Sequence, residues 1–280
     1  MKKIIALLLA ALMMVCCLSA CSEDKKTDTA EAKTTKKTAE KTTEEVSDLE
    51  YIKSKGKLVV GITDFEPMDY QKAGSDEWVG FDADLAKLFA DSLGVECEFS
   101  VINWDFKTTE IDKKTIDCVW NGMTLTDEVT TAMSCSTPYC NNQQILIVNK
   151  EDAEKYASAD DCKHLNIAVE SGSAGEKVAN QYGFTITPVL DQATALMEVK
   201  AGTCDAAIID SLMAAAMVGE GTSYEELTYT VGLSDEEYGV GFRKGSDLTE
   251  KFNSFLKEKI ADGTVEAIAK EYGIQAALIK

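Results

Sequence analysis

Arginine and histidine are almost missing from this 280-residue chain. Arg243 is its sole arginine, so that 27 of the 28 basic side chains are lysines, and His164 is its sole histidine. Against these stand 48 acidic residues and a formal charge of −20. Binding nucleic acid needs a basic face that neutralises phosphates, and this balance excludes it. Anionic substrates gripped by guanidinium forks are excluded on the same ground. A zinc enzyme or a Ser-His-Asp hydrolase would rest on His164 alone, and the cysteine spacings match no zinc pattern. No metal and no cofactor is therefore expected. The apolar run Ile4 to Val15 holds 12 residues, short of the ~20 that span a bilayer.

What is present begins with an address. Lys2 and Lys3 precede that apolar run, which has the length of a secretory signal. It ends in Leu18-Ser19-Ala20-Cys21, which resembles a bacterial lipoprotein signal. That resemblance implies removal of residues 1–20 and lipidation of Cys21. Residues 22–46 hold 7 Thr, 7 acidic residues and 6 Lys and can form no core, so 21–49 reads as a lipidated cysteine and a disordered stalk. The remainder carries a formal charge of −21, so the acidity belongs to the folded body.

That body alternates strand and helix patterns. Strands are predicted at Leu58–Ile62, Val95–Val101, Thr115–Trp120, Gln144–Val148, Asn166–Val169, Cys204–Ile209 and Tyr238–Phe242. Between them, Asp82 is predicted to cap a helix that stops at Gly94, and Asp191 one that ends at Gly202. Leu248–Ala261 and Thr264–Tyr272 read as closing helices. The rhythm indicates an α/β protein with mainly parallel sheets, where ligands sit beyond the carboxyl ends of strands. Three such turns are chemically distinctive: Thr63 to Met68, Asn121 to Thr124, and Glu170 to Gly175. The latter two lead into helices, whose free N–H groups suit an anionic oxygen. Asp210, directly after a strand, is a fourth candidate.

From Gly56 to Gly273 the chain resembles the extracytoplasmic solute-binding proteins of polar amino-acid ABC importers. The resemblance rests on Gly56-Lys57-Leu58-Val59-Val60-Gly61, Gly80-Phe81-Asp82-Ala83-Asp84-Leu85 and Ile116-Asp117-Cys118-Val119-Trp120-Asn121-Gly122-Met123-Thr124. It continues through Ser136-Thr137-Pro138-Tyr139, Asp205 to Asp210 and Gly239 to Gly245. It implies a two-lobed α/β architecture, the periplasmic-binding-protein type 2 fold with two hinge strands. Lobe one would be 50–143 plus 235–280, and lobe two 144–234. It also implies a small-molecule ligand (an amino acid or amine), an ABC permease as partner, and a monomer held at the membrane by lipid on Cys21, with a Gram-positive surface favoured. Phe65 and Trp104 would be aromatic walls, and Gly122 and Thr124 polar contacts from lobe one. Gly172 and Ser173 would be donors from lobe two, and Asp210 the carboxylate for the ligand's ammonium. Asp64, Asn121, Met123, Val129 and Glu170 complete the expected site.

One departure stands out. After Thr126-Asp127-Glu128 the family pattern has an arginine for the ligand's carboxylate, and here that position is Val129. No lysine or arginine lies between Lys114 and Lys150. Losing a buried charge-assisted pair costs about 2–5 kcal/mol. With Asp64, Glu66, Glu170 and Asp210 at or beside the turns, a cationic amine or modified amino acid is the alternative ligand. Cys135 stands where the pattern has Phe, which alters the local wall. An extracellular lyase or a sensor domain on the same fold is a further alternative, although no acid–base pair beyond Glu170 and Asp64 offers itself, so no enzyme is expected. Bland readings also stand: Phe65 and Trp104 as core aromatics, and Asp210 as a helix cap. Cys97, Cys118, Cys135, Cys140, Cys162 and Cys204 remain in the body, and Cys135 with Cys140 is the pair best placed for a disulfide.

Overall fold

The computed structural model describes residues 47–279. The expected signal peptide, Cys21 and the stalk as far as residue 46 lie outside them. No helix among the described residues is long and apolar enough to cross a membrane.

The body opens with α1 (Asp48–Lys55), which begins inside the range assigned to the stalk. Ser47 caps it, accepting from Glu50 N–H, and Gly56 closes it in the left-handed conformation. Next come β1 (Lys57–Ile62), a small hairpin of β2 (Tyr70–Gln71) and β3 (Trp78–Val79), α2 (Phe81–Leu93) and β4 (Glu96–Val101). A 3-10 turn at Trp104–Phe106 leads into α3 (Lys107–Asp112). Then follow β5 (Cys118–Val119), α4 (Asp127–Ala132), β6 (Ser134–Cys135) and the long β7 (Cys140–Asn149). The second half contains β8 (Asn166–Glu170), α5 (Ala174–Tyr182), β9 (Thr185–Val189), α6 (Gln192–Ala201), β10 (Ala206–Asp210) and α7 (Ser211–Met217). The chain returns through β11 (Leu227–Tyr238) and β12 (Gly241–Phe242), and ends with α8 (Leu248–Ala261) and α9 (Thr264–Glu271).

These strands form two five-stranded sheets, ordered β4-β1-β5-β12-β6 and β11-β7-β10-β8-β9. Only β1 with β4 and β5, and β8 with β9 and β10, pair in parallel. Strands β7, β11 and β12 run antiparallel to their neighbours, so the sheets are mixed and the expectation of mainly parallel sheets is corrected. The cause is the double crossing: β7 leaves the first half and β11 returns to it, and the two must run in opposite directions. They pair from Leu227↔Asn149 to Tyr238↔Cys140, with irregularities at Tyr229/Val231 and Gly232/Ser234. Their far ends meet the first half through the Thr124↔Tyr238 and Cys140↔Leu278 bridges.

Two further expectations change. Asp82 does not cap α2; Gly80 occupies the cap position, and Asp82 is fully buried in the first turn. There it accepts from Tyr139 Oη (2.8 Å) and from the Gly122 N–H (2.6 Å). Burial raises its pKa to about 7, and those hydrogen bonds pull the other way. Arg243 is buried among Asp48, Asp117 and the carbonyls of Ile111 and Ile116, at 2.9–3.5 Å. Since Phe242 pairs with Cys118, this clasp lies at the amino end of β5, opposite the Asn121 turn. All six body cysteines are free thiols, Cys135 and Cys140 included.

Candidate functional site

The carboxyl ends of β1, β5, β8 and β10 converge on one cavity of about 570 Å³, within the range of small-molecule sites. Eleven of the twelve expected residues line it: Phe65, Trp104, Asn121, Gly122, Met123 and Thr124, with Val129, Glu170, Gly172, Ser173 and Asp210. Asp64 is not among them; it is exposed beside the Phe65 turn.

Several polar groups serve the scaffold rather than the empty space. Asn121 accepts from the Thr63 N–H and hydroxyl (3.0 and 2.8 Å) and donates to the Thr63 carbonyl and Asp69 (3.0 and 2.9 Å). Its amide thus locks the turn after β5 onto the turn after β1. The Gly122 N–H is held by Asp82, and the Gly172 N–H by Glu176 Oε2 at 2.7 Å. Ser173 caps α5, accepting from Glu176 N–H at 3.0 Å. The amides expected as ligand donors at Gly122 and Gly172 are therefore already engaged. Gly122 has φ of +53°, and a Cβ there would lie 2.6 Å from the Phe65 ring. That ring stands edge-on to Tyr238, with centroids 6.4 Å apart. Phe65 and Trp104 are each mostly buried yet border the cavity.

Asp210 occupies the cap position of α7 but makes no capping bond. Its Oδ1 accepts from Asn142 and from Gln144 (2.6 Å), and its Oδ2 accepts from Gln192. The Gln192 Oε1 in turn takes the Asp210 N–H at 2.8 Å. Asn142 and Gln144 also donate to Glu236 Oε1 on β11, at 2.6 and 2.8 Å. Two carboxyl groups are thereby gathered by one set of amides. Burial, followed by the Glu236 charge, pushes Asp210 well above the ordinary carboxylate range.

Glu170 differs from Asp210 in a decisive way. It is 3% exposed, and its Oε1 has no hydrogen-bond partner among the described residues. Burial first, then the nearby Asp191 charge, raises its pKa to about 8, while Lys107 pulls it down. Lys107 itself escaped sequence reasoning. It stands between Phe106 and Thr108 in a polar stretch that reads as surface, yet it is 9% exposed and borders the cavity. Its Nζ donates to the Gly172 carbonyl at 2.7 Å and to the Trp104 carbonyl at 3.2 Å, and lies 5.1 Å from the Trp104 ring centroid. The cation shortage inferred from Val129 is thus partly made good from the preceding helix. Lys177 also borders the cavity but is exposed. Asn142, Gln144 and Gln192 were missed as well; the alternation of amides at 142 and 144 in an apolar strand was the available signal.

No group of three or more metal-ligating side chains occurs among the described residues. The cavity is suited to reversible capture: buried acidic and basic groups, aromatic walls and an apolar patch at Val129.

The profile of bacterial extracellular solute-binding proteins, family 3, matches residues 58–275. The arginine-binding extracellular protein ArtP of Bacillus subtilis is 29% identical over 224 residues, covering 78% of this chain and 86% of that one. The L-cystine-binding protein TcyJ of Escherichia coli K12 is 30% identical over 229 residues, covering 80% and 85%. Among solved structures, the ancestral amino acid-binding protein AncCDT-1, described as a precursor of cyclohexadienyl dehydratase, superposes with a TM-score of 0.73. It is 30% identical, and the match covers 81% of this chain and 99% of that one.

Proposed function

The chain belongs to family 3 of the bacterial extracellular solute-binding proteins, and from that premise we propose that it captures an amino acid or related small amine for an ABC importer. The observation that carries this reading is Glu170, a buried carboxyl with one oxygen unpartnered at the wall of the cavity. An unmet buried acceptor costs about 1–3 kcal/mol, and an ammonium or guanidinium group entering the cavity would meet it. Arginine- and cystine-binding relatives support a ligand with at least one cationic nitrogen.

In this reading 50–143 plus 235–280 form one lobe and 144–234 the other, with β7 and β11 as the hinge. The ligand enters when they part, and a permease receives it. Phe65 and Trp104 wall the ligand, while Met123, Thr124 and Val129 shape the first-lobe side. Asp210 sits at the floor, its charge shared with the amides. The chain acts as a monomer outside the cytoplasmic membrane, tethered through lipid on Cys21. It binds its ligand without transforming it, a reading supported by relatives that are named as binding proteins.

A second reading, a cationic amine or modified amino acid, draws on the charge of the lining. Asp105, Glu128, Glu170, Glu176 and Asp210 outnumber Lys107 and Lys177. Thermal-shift screening of the purified protein against L-amino acids, di- and polyamines and betaines tests the function. The expected result is stabilisation by a small set of cationic or zwitterionic compounds, diminished by Glu170→Gln. Stabilisation by none of them would refute the reading, and NMR of each hit mixed with protein would expose any chemical conversion.

A further inference from the structure

The cavity holds a second buried ionisable group without a counter-group, a base where Glu170 is an acid. Lys107 is buried, and its Nζ makes two hydrogen bonds, both to neutral main-chain carbonyls, with the neutral Trp104 ring as its other neighbour. Among the described residues no carboxylate lies within ion-pairing distance of it. An ammonium has three N–H donors, so one remains. A buried cation without a counter-charge is costly unless an anion is supplied from elsewhere. Burial lowers the Lys107 pKa, and the more distant carboxylates of Glu170, Glu128, Asp105 and Glu176 only partly offset this. Arg243 cannot serve, because its guanidinium is occupied at the other end of β5. Lys107 and Glu170 come from different halves of the body, one after the Trp104 turn and one at the end of β8, and both face the same space.

We propose that Lys107 is the anchor for a carboxylate on the ligand, so that the site recognises a zwitterion with its anionic end at Lys107 and its cationic end at Glu170. This deepens the reading above and rests on it. It gives Val129 a plain role as an apolar wall, since the cation arrives from the preceding helix instead. It also decides between the two ligand classes: an amine without a carboxylate would leave Lys107 as bare as it is now. A simpler role for Lys107, a latch between the halves through the Gly172 carbonyl, makes a different prediction. A latch strengthens closure on any ligand, whereas an anchor strengthens only those that carry the anion.

The test uses the purified protein and a panel of the twenty L-amino acids, L-ornithine and L-cystine. Each hit is paired with its decarboxylated amine, for example L-arginine with agmatine and L-cystine with cystamine. Affinities are measured by calorimetry for wild type, Lys107→Met, Lys107→Gln and Glu170→Gln. Gln at 107 keeps a donor for the Gly172 carbonyl without the charge, which guards against misfolding of the Met variant. The expected wild-type preference for the amino acid over its amine is ~30-fold or more, the equivalent of a charge-assisted pair. Both position-107 variants should collapse that preference towards unity, and Glu170→Gln should weaken acid and amine alike. Equal loss for both compounds in the Lys107 variants would overturn the anchor in favour of the latch. Tight binding of amines with no amino acid bound would overturn it while leaving solute capture intact. Binding of neither class by wild type would remove the functional reading, and the anchor with it.

Discussion

Ligand capture at Glu170 should release a proton, and the affinity should therefore rise steeply with pH. In the empty cavity the Glu170 pKa is raised to about 8, by burial and then by Asp191. Asp210 lies nearby and Lys107 opposes the shift. A cation can pair only with the ionised carboxylate, so binding must expel the proton wherever the empty site holds one. With a free pKa near 8, about one-tenth of Glu170 is ionised at pH 7 and about one-hundredth at pH 6. Provided the liganded pKa lies below 6, the association constant should climb about 50-fold between pH 6 and pH 8, roughly 2 kcal/mol. Calorimetry at pH 7 in two buffers of different ionisation enthalpy should find about 0.9 proton released per ligand bound. Glu170→Gln removes the titrating group, so its weaker binding should lose this slope even though Asp210, Asp191 and Lys107 remain. A wild-type affinity that is flat from pH 6 to 8, or a slope unchanged in the variant, would refute the placement of the cation at Glu170.

The ligand-free protein should behave in the opposite sense. Asp69, Asp82, Glu170 and Asp210 are buried acids with raised pKa values, so the folded state holds protons that the unfolded chain gives up. Their contribution is full below the unfolded pKa near 4 and is lost as pH rises through the folded values. For Asp82, raised from 3.8 to about 7, the loss accrues between those two values, so the melting temperature should fall from pH 5 to pH 8; a rise would contradict it. Gly172→Ala places a Cβ 2.5 Å from Asp105 Cα at a φ of +73°. It should weaken binding tenfold or more and also lower the ligand-free melting point by a few degrees, since the left-handed strain is present without ligand; unchanged affinity would show that Gly172 and Asp105 need not meet. Arg243→Met strips fully buried Asp117 of one partner, leaving Lys55 and the Val59 N–H, and deprives Asp48 of its guanidinium. It should cost about 3–5 kcal/mol, or about 10 °C in melting temperature, with ligand affinity preserved; a variant that melts like wild type would show the clasp to be dispensable.

Most of the architecture was legible because local signals and global burial agreed. The helix Leu248–Ala261 was read to the residue, and Asp191 with Gly202 marked both ends of α6, where the structure shows the cap bond to Thr194 and the left-handed glycine. The turns after β1, β5 and β8 announced the cavity, because ligand clefts of α/β sheets lie beyond the carboxyl ends of their strands. What could not be read was decided by partners far along the chain. Asp82 has the composition of a helix cap, but Tyr139, 57 residues away, draws it inward. Lys107 looks like a surface lysine until Gly172, 65 residues on, supplies a carbonyl. The mixed sheets escaped because a strand pattern carries no direction; only the return of β11 beside β7 fixes it. The amide cluster on Asp210 combines residues from β7, α6 and β11, and no window of sequence contains them together.

That cluster sits on the two crossing strands. Asn142 and Gln144 belong to β7 and Glu236 to β11, and together they hold the carboxyl at the cavity floor. In the proposed capture, the fulcrum and the scale pan of the balance are thus the same few atoms. A solute that tugs on Asp210 must disturb amides whose other bonds set how β7 lies against β11. If β7 and β11 are the hinge of the proposed capture, weighing the cargo and tilting the beam become one act, and a substitution aimed at the stiffness of the crossing will also change what the cavity selects.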